Sequence, residues 1–169
     1  VYYAADAIRW AWENGYFSGV SAVQFAPEQG LSRAMLVTVL WRMAGEPNAG
    51  VSTFADVLPG GWYEKAVAWA NTRGLVSGTG AGSFSPDAPI TREQLIAILW
   101  RYAGSPQPAG SLSAFADGAQ TSAYAQTAMA WAVETGLIGG SNGRLLPASG
   151  ATRAQTALIL QRFAAWMGM

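Results

Sequence analysis

The stretch PITREQLIAILWRYAG, residues 89–104, decides the fold. Thr91 stands where a helix N-cap belongs, and Gln94 follows three residues later as its reciprocal partner in a capping box. Ile90 and Leu95 flank the box as a hydrophobic staple. The chain then runs apolar to Trp100, Arg101 suits the negative C-terminal end of a helix, and Gly104 and Pro106 stop it. The pattern predicts a helix beginning at Arg92. Ser32-Arg33-Ala34-Met35 and Thr152-Arg153-Ala154-Gln155 open two further apolar runs of the same kind. The first keeps the cap without the glutamine. The second has the whole box, and its run continues through Phe163 and Trp166, which predicts a longer helix.

These three starts belong to an internal repeat. Trp10 and Trp69, Gly15 and Gly74, Pro27 and Pro86, Arg33 and Arg92, and Arg42 and Arg101 are each 59 residues apart. Trp69 and Trp131 are separated by 62, whereas Arg92 and Arg153 are separated by 61. The units span 1–47, 52–106 and 113–169 within a single domain, 1–169. Each unit reads as helix, glycine-rich loop, helix. In the middle unit Trp62, Ala66, Val67, Trp69 and Ala70 follow helical spacing, and Gly74 ends the run. The loop LVSGTGAGSFSPDAPI, residues 75–90, is compact and turn-rich, with Phe84 as its apolar plug. One unit has too little surface to bury its own apolar stripe. The expected fold is therefore all-α, with three repeats packed through their second helices into a pseudo-threefold bundle.

Composition narrows the functions open to such a chain. Of its 169 residues 51% are apolar, enough for a sizeable core, and ten basic residues balance ten acidic ones. A zero net charge offers no long-range steering toward nucleic acid or an anionic membrane surface. Charged residues make up only 12%, roughly half the usual share, so Ser, Thr, Gln, Asn, Gly and Ala must carry the surface. Cysteine and histidine are absent, which removes the usual metal ligands and every Ser/His or Cys/His nucleophile arrangement. Neither metal nor cofactor is expected. No apolar run is long enough to span a membrane. The first residue is Val1 rather than Met, as in a mature or cut piece, and no leader pattern is seen there.

The chemistry that stands out is the arginine at the first helical position of each second helix: Arg33, Arg92 and Arg153. A cation there opposes the helix macrodipole, which favours anions. Three occurrences at matched positions suggest that guanidinium and helix N–H groups together hold an anion from outside. The competing reading is a brace between repeats, with Asp56 or Asp117 as ion-pair partner.

The middle unit, with FADV at residues 54–57, WYEKAVAWA, GLVSG, FSPDAPITREQ and LWRYAG in order, resembles a surface-layer homology motif, and the whole chain resembles a three-motif domain of that family. The resemblance implies a three-pronged helical spindle whose inter-prong grooves bind secondary cell wall polymers, often through pyruvate-ketal sugars. It implies non-covalent anchoring to a Gram-positive-type cell wall, an extracellular location, and a monomeric isolated domain. Its polymer-contacting cation falls on Arg33, Arg92 and Arg153. Its Phe-x-Asp segment falls on Phe54-Ala55-Asp56 and Phe115-Ala116-Asp117, and its loop glycine on Gly19, Gly78 and Gly140. The first unit lacks Phe-x-Asp, since Tyr3 aligns with Trp62. In the third unit Gly118 stands for Val57, Ala123 for Trp62 and Leu145 for Phe84.

Asp56 and Asp117 are candidates to accept sugar hydroxyls, or to act as caps and turn residues. Trp62, Tyr63 and Tyr124 are candidates to stack on a pyranose face. Trp10, Trp69 and Trp131 lie in the apolar stripe and read as core, and the helix dipole accounts for Arg42, Arg101 and Arg162. No carboxylate pair sits in a hydrolase-like motif and no phosphate-binding glycine pattern is present, so no enzyme is expected. The expected function is a wall-glycan anchor; the alternative is a structural or protein-interaction module without glycan binding.

Overall fold

A computed structural model describes residues 2–19, 21 and 24–169. The protein is all-α, with six helices among the described residues: α1 Ala5–Glu13, α2 Arg33–Met43, α3 Glu64–Thr72, α4 Arg92–Tyr102, α5 Gln126–Glu134 and α6 Arg153–Met167. Two short 3₁₀ turns, Gly118–Gln120 and Ala123–Ala125, lead into α5. Among the described residues only isolated antiparallel bridges occur and no strand.

The local signals act as their chemistry requires. Thr91 Oγ1 accepts the Gln94 N–H at 3.3 Å while Gln94 Oε1 accepts the Thr91 N–H at 3.1 Å, and Thr152 with Gln155 repeats the box. Ser32 accepts only from the Met35 N–H. The first helices end at Gly15, Gly74 and Gly136, whose φ values of 70°, 69° and 75° form the left-handed stop that disfavours side chains. At 15 residues α6 is the longest helix. The first helices, nine residues each, are too short to persist alone and depend on packing.

The three units meet in a closed ring of backbone hydrogen bonds. Leu31 N–H donates to Ala151 O at 2.9 Å, Ala151 N–H to Ile90 O at 2.9 Å, and Ile90 N–H to Leu31 O at 2.8 Å. All three residues are buried, so each bond replaces a backbone group that would otherwise be lost to water. Ring members immediately precede the N-caps, which brings the second helices together at their N-terminal ends.

Away from the ring the closest helix packing runs between units: α2 with α3, α4 with α5, and α6 back onto α1. The expectation of one bundle made by the three second helices is altered accordingly. Each second helix takes as its main helical partner the first helix of the following unit, because the ring turns its apolar face that way. Phe84 and Leu145 plug their loops, fully buried, and the Trp41 and Trp100 indoles donate to Pro47 O and Pro106 O, tying down the chain that leaves α2 and α4. No helix among the described residues is long and apolar enough to cross a membrane.

Thr91→Ala is expected to lower unfolding free energy by about 1 kcal/mol. Ala151→Pro, which deletes a ring donor and orphans the Ile90 carbonyl, is expected to cost about 1–3 kcal/mol or more. Urea unfolding followed by circular dichroism measures both.

Candidate functional site

Three open grooves lie around the ring, with volumes of about 420, 580 and 350 Å³, in the range that holds small ligands. Each draws on all three units. Arg33 of the first unit faces Gly78 and Arg101 of the second and Tyr124 of the third. Arg92 faces Gly140 and Arg162 of the third unit and Tyr3 of the first. Arg153 faces Gly19 and Arg42 of the first unit and Trp62 of the second. A groove thus consists of one helix start, the next unit's loop with its C-terminal arginine, and an aromatic residue from the unit after that.

The first-position arginines reach across to the neighbouring loop. Arg33 Nε donates to Phe84 O at 2.9 Å and its Nη2 to Ser77 O at 3.2 Å. Arg92 Nε donates to Leu145 O at 2.9 Å. Arg153 donates through Nε to Phe25 O at 2.7 Å and through Nη2 to Ser18 O at 2.5 Å. Arg33 also lies over the Phe84 ring, and Arg153 over those of Phe17 and Phe25. Burial lowers all three from the ordinary guanidinium pKa, yet none has a carboxylate within ion-pair distance; among the described residues the one ion pair is the exposed Arg9–Asp6 contact.

The helix N–H groups are differently used from the sequence expectation. Arg33, Arg92 and Arg153 donate their own N–H to Ala88, Ser149 and Gln29 carbonyls, and the next residues, Ala34, Glu93 and Ala154, donate to Pro86, Pro147 and Pro27. The third N–H goes to the cap. Among the described residues the first three N–H groups of α2, α4 and α6 are therefore all used within the fold, so an anion beside these arginines is held by guanidinium groups. The brace reading is also modified: the arginines brace through carbonyls and rings, and not through an ion pair with Asp56 or Asp117.

Both aspartates are spent inside the fold. Asp56 accepts the Phe84 and Ser85 N–H groups at 2.7 and 2.8 Å, and Asp117 accepts those of Leu145 and Leu146, both at 2.8 Å. With Asp117 only 2% exposed, the role of sugar-hydroxyl acceptor is corrected to that of loop clamp. Gly78 and Gly140 are needed for close packing: a Cβ at Gly78 would meet Ser83 O at 2.7 Å, and one at Gly140 would meet the Phe115 ring at 2.9 Å. Gly19 is confined in the same way by Ser21 O and Gln24 O. Their presence in the groove walls follows from this packing.

Among the aromatics, Trp62, Tyr3 and Tyr124 stand at the groove rims, 60%, 58% and 50% exposed. Tyr63 packs instead against the core, with its ring edge-on to Trp62. The residue equivalent to Trp62 in the third unit is Tyr124 and not Ala123, because the 62-residue spacing of the first helices applies there. Glu93, which follows Arg92 in the first turn of α4, is buried and accepts from Ser122 N–H, Ser122 Oγ and the Tyr124 hydroxyl at 2.9, 2.7 and 3.4 Å. It positions Tyr124. Arg42, Arg101 and Arg162 donate to the loop carbonyls of Tyr16, Leu75 and Leu137 while lining the grooves. Their constant spacing of nine residues from Arg33, Arg92 and Arg153 was the available signal.

The clamps make stability depend on acid. Hydrogen bonds from Phe84 N–H and from Leu145 N–H hold the Asp56 and Asp117 carboxyls below the usual value. A depressed folded-state pKa contributes stability in full above the unfolded value of about 3.9, and that contribution is lost as pH falls through the folded value. The wild-type chain is therefore expected to lose stability steeply below about pH 4, and an Asp56→Asn, Asp117→Asn double variant to be less stable at pH 7 with a flatter profile. Urea midpoints between pH 7 and 2 test this.

The S-layer homology domain profile matches residues 53–96 and 114–157, just over half the chain. The chain is 30% identical to the surface-layer 125 kDa protein of Lysinibacillus sphaericus over 95% of its own length and 14% of that protein's. It is 30% identical to an endoglucanase of Bacillus sp. (strain KSM-635) over 88% of the chain and 16% of the enzyme. With a cellulosome-anchoring protein of Acetivibrio thermocellus it shares 27% identity over 59% of the chain and 24% of that protein. It thus spans less than a quarter of the length of these relatives. The matched residues include the cap, arginine and Phe-x-Asp segments of the second and third units, and this chain belongs to the S-layer homology domain family.

Proposed function

We propose that this chain anchors a surface protein non-covalently to the bacterial cell wall by holding an acidic secondary wall polymer in its grooves. The observation that carries the reading is the state of the three first-position arginines. A buried cation is stable when paired, and these three are desolvated, turned to open grooves, and supplied by the chain only with carbonyl and aromatic partners. A carboxylate on the polymer, such as a pyruvate ketal, completes the pairing. The rim aromatics offer flat apolar faces to sugar rings, and three grooves on one polymer add avidity. The matches to a surface-layer protein and to a cellulosome-anchoring protein support the anchoring role. The endoglucanase match, confined to 16% of that enzyme, fits a binding module attached to different cargoes.

Arg92→Ala and Arg101→Ala are each expected to weaken binding to purified wall polymer on the order of tenfold, the scale of one charge-assisted hydrogen bond, with melting little changed. Arg153→Ala is expected to lower the melting temperature as well, because it releases Ser18 and Phe25. Calorimetry against native and depyruvylated polymer measures the first effect. Binding to neither polymer would favour a protein-interaction module without glycan recognition; equal affinity for both would remove only the pyruvate ketal as the acid, and full binding by the variants would remove these arginines from the contact.

A further inference from the structure

The three grooves have diverged, and the divergence is concentrated around one arginine. Arg153 is 5% exposed, commits Nε and Nη2 to carbonyls, and lies over two phenylalanine rings. Arg33 is 9% exposed, commits the same two nitrogens, and lies over one ring. Arg92 is half-buried and donates through Nε alone among the described residues. The cause is two replacements. Leu145 stands where the other units have Phe25 and Phe84, which removes the ring. Gly139 stands where they have Ser18 and Ser77, and its carbonyl takes no bond from Arg92. Both Nη groups are left for a partner. The same groove gains Arg144, which occupies the turn position held by Gln24 and Ser83 in the other two loops.

We propose that the Arg92 groove is the principal acid receptor of the chain and takes a uronate-like sugar, a carboxylate with a hydroxyl beside it. Arg144 and Leu145 are the residues that set this preference. Arg92 has a free guanidinium edge for bidentate contact with a carboxylate, and Arg144 and Arg162 add donors around it. Glu28 enters the same wall and already accepts the Tyr2 hydroxyl; its remaining lone pairs accept the sugar hydroxyl, which makes a bare anion a poorer fit. Asp117 lies behind the groove with both oxygens occupied by backbone N–H groups. The assignment rests on the anchoring reading above and ranks the grooves within it.

Titration of the ¹⁵N-labelled chain with trigalacturonate, and with its uncharged methyl ester, tests the ranking. The expected result is that amides of residues 139–141 shift at the lowest acid concentrations, ahead of residues 77–79 and 18–19, and that the ester shifts them weakly. Arg144→Ser is expected to weaken that site about tenfold without moving the other two, and Ser83→Arg to strengthen the Arg33 groove. Glu28→Ala is expected to lower affinity; a rise would mean that Glu28 only repels the acid and would overturn the hydroxyl assignment. Equal response of all grooves, or no effect of Arg144→Ser, would overturn the ranking while leaving acid recognition standing. Failure of the acid form to bind any groove would overturn the uronate assignment, whereas the anchoring reading falls only if purified wall polymer also fails to bind.

Discussion

The hydrogen-bonded ring of Leu31, Ile90 and Ala151 is the constraint on which the rest depends. Each residue donates to one neighbour and accepts from the other, so three segments close on themselves and leave no unpaired edge. A ring of this kind needs three units at once. It also sets direction: two residues beyond each ring member the chain enters a second helix, so the side chain at the first helical position necessarily points at the loop of the next unit. The bracing arginines, the inter-unit helix pairs and the grooves all follow from that geometry.

The arginines occupy a position that the helix dipole disfavours. The fold offsets this by bringing loop carbonyls to the exposed N–H groups, which neutralises the positive helix end and leaves the guanidinium among oxygens. In the second and third units the same loop residue is held from both sides. Asp56 takes the Phe84 N–H while Arg33 takes the Phe84 carbonyl, and Asp117 and Arg92 hold Leu145 likewise. Carboxylate and guanidinium therefore act on one peptide segment without touching each other. Each oxygen of the aspartate takes one backbone donor; the arginine retains donors and positive charge toward the groove.

Because each groove borrows from all three units, an isolated unit would have no such groove. Repetition supplies three grooves of similar plan, and single substitutions then alter them one at a time. Glu93 fixes Tyr124 at one rim, where the equivalent positions Ala34 and Ala154 can fix nothing. Met35 enters the Arg153 groove where Gln94 and Gln155 line the others.

Much of this was legible in the sequence, for reasons that are local. Capping boxes, glycine stops and the apolar stripes of the second helices depend on residues within one turn of each other, and they placed the starts of α2, α4 and α6 at Arg33, Arg92 and Arg153. The repeat spacing identified matched residues, and the three arginines emerged as a set because their dipole conflict is visible without coordinates. Only the tertiary structure decided what those groups face. The helix N–H groups looked free because their partners, Pro86, Ala88 and their equivalents, lie more than fifty residues away in two cases and over a hundred in the third. Asp56 and Asp117 looked available for the same reason, and Arg101 looked like a simple helix terminus until the ring brought Tyr124 and Arg33 beside it. Local chemistry determines where helices begin and end; the closing of three units around one ring determines which of their polar groups remain for a ligand.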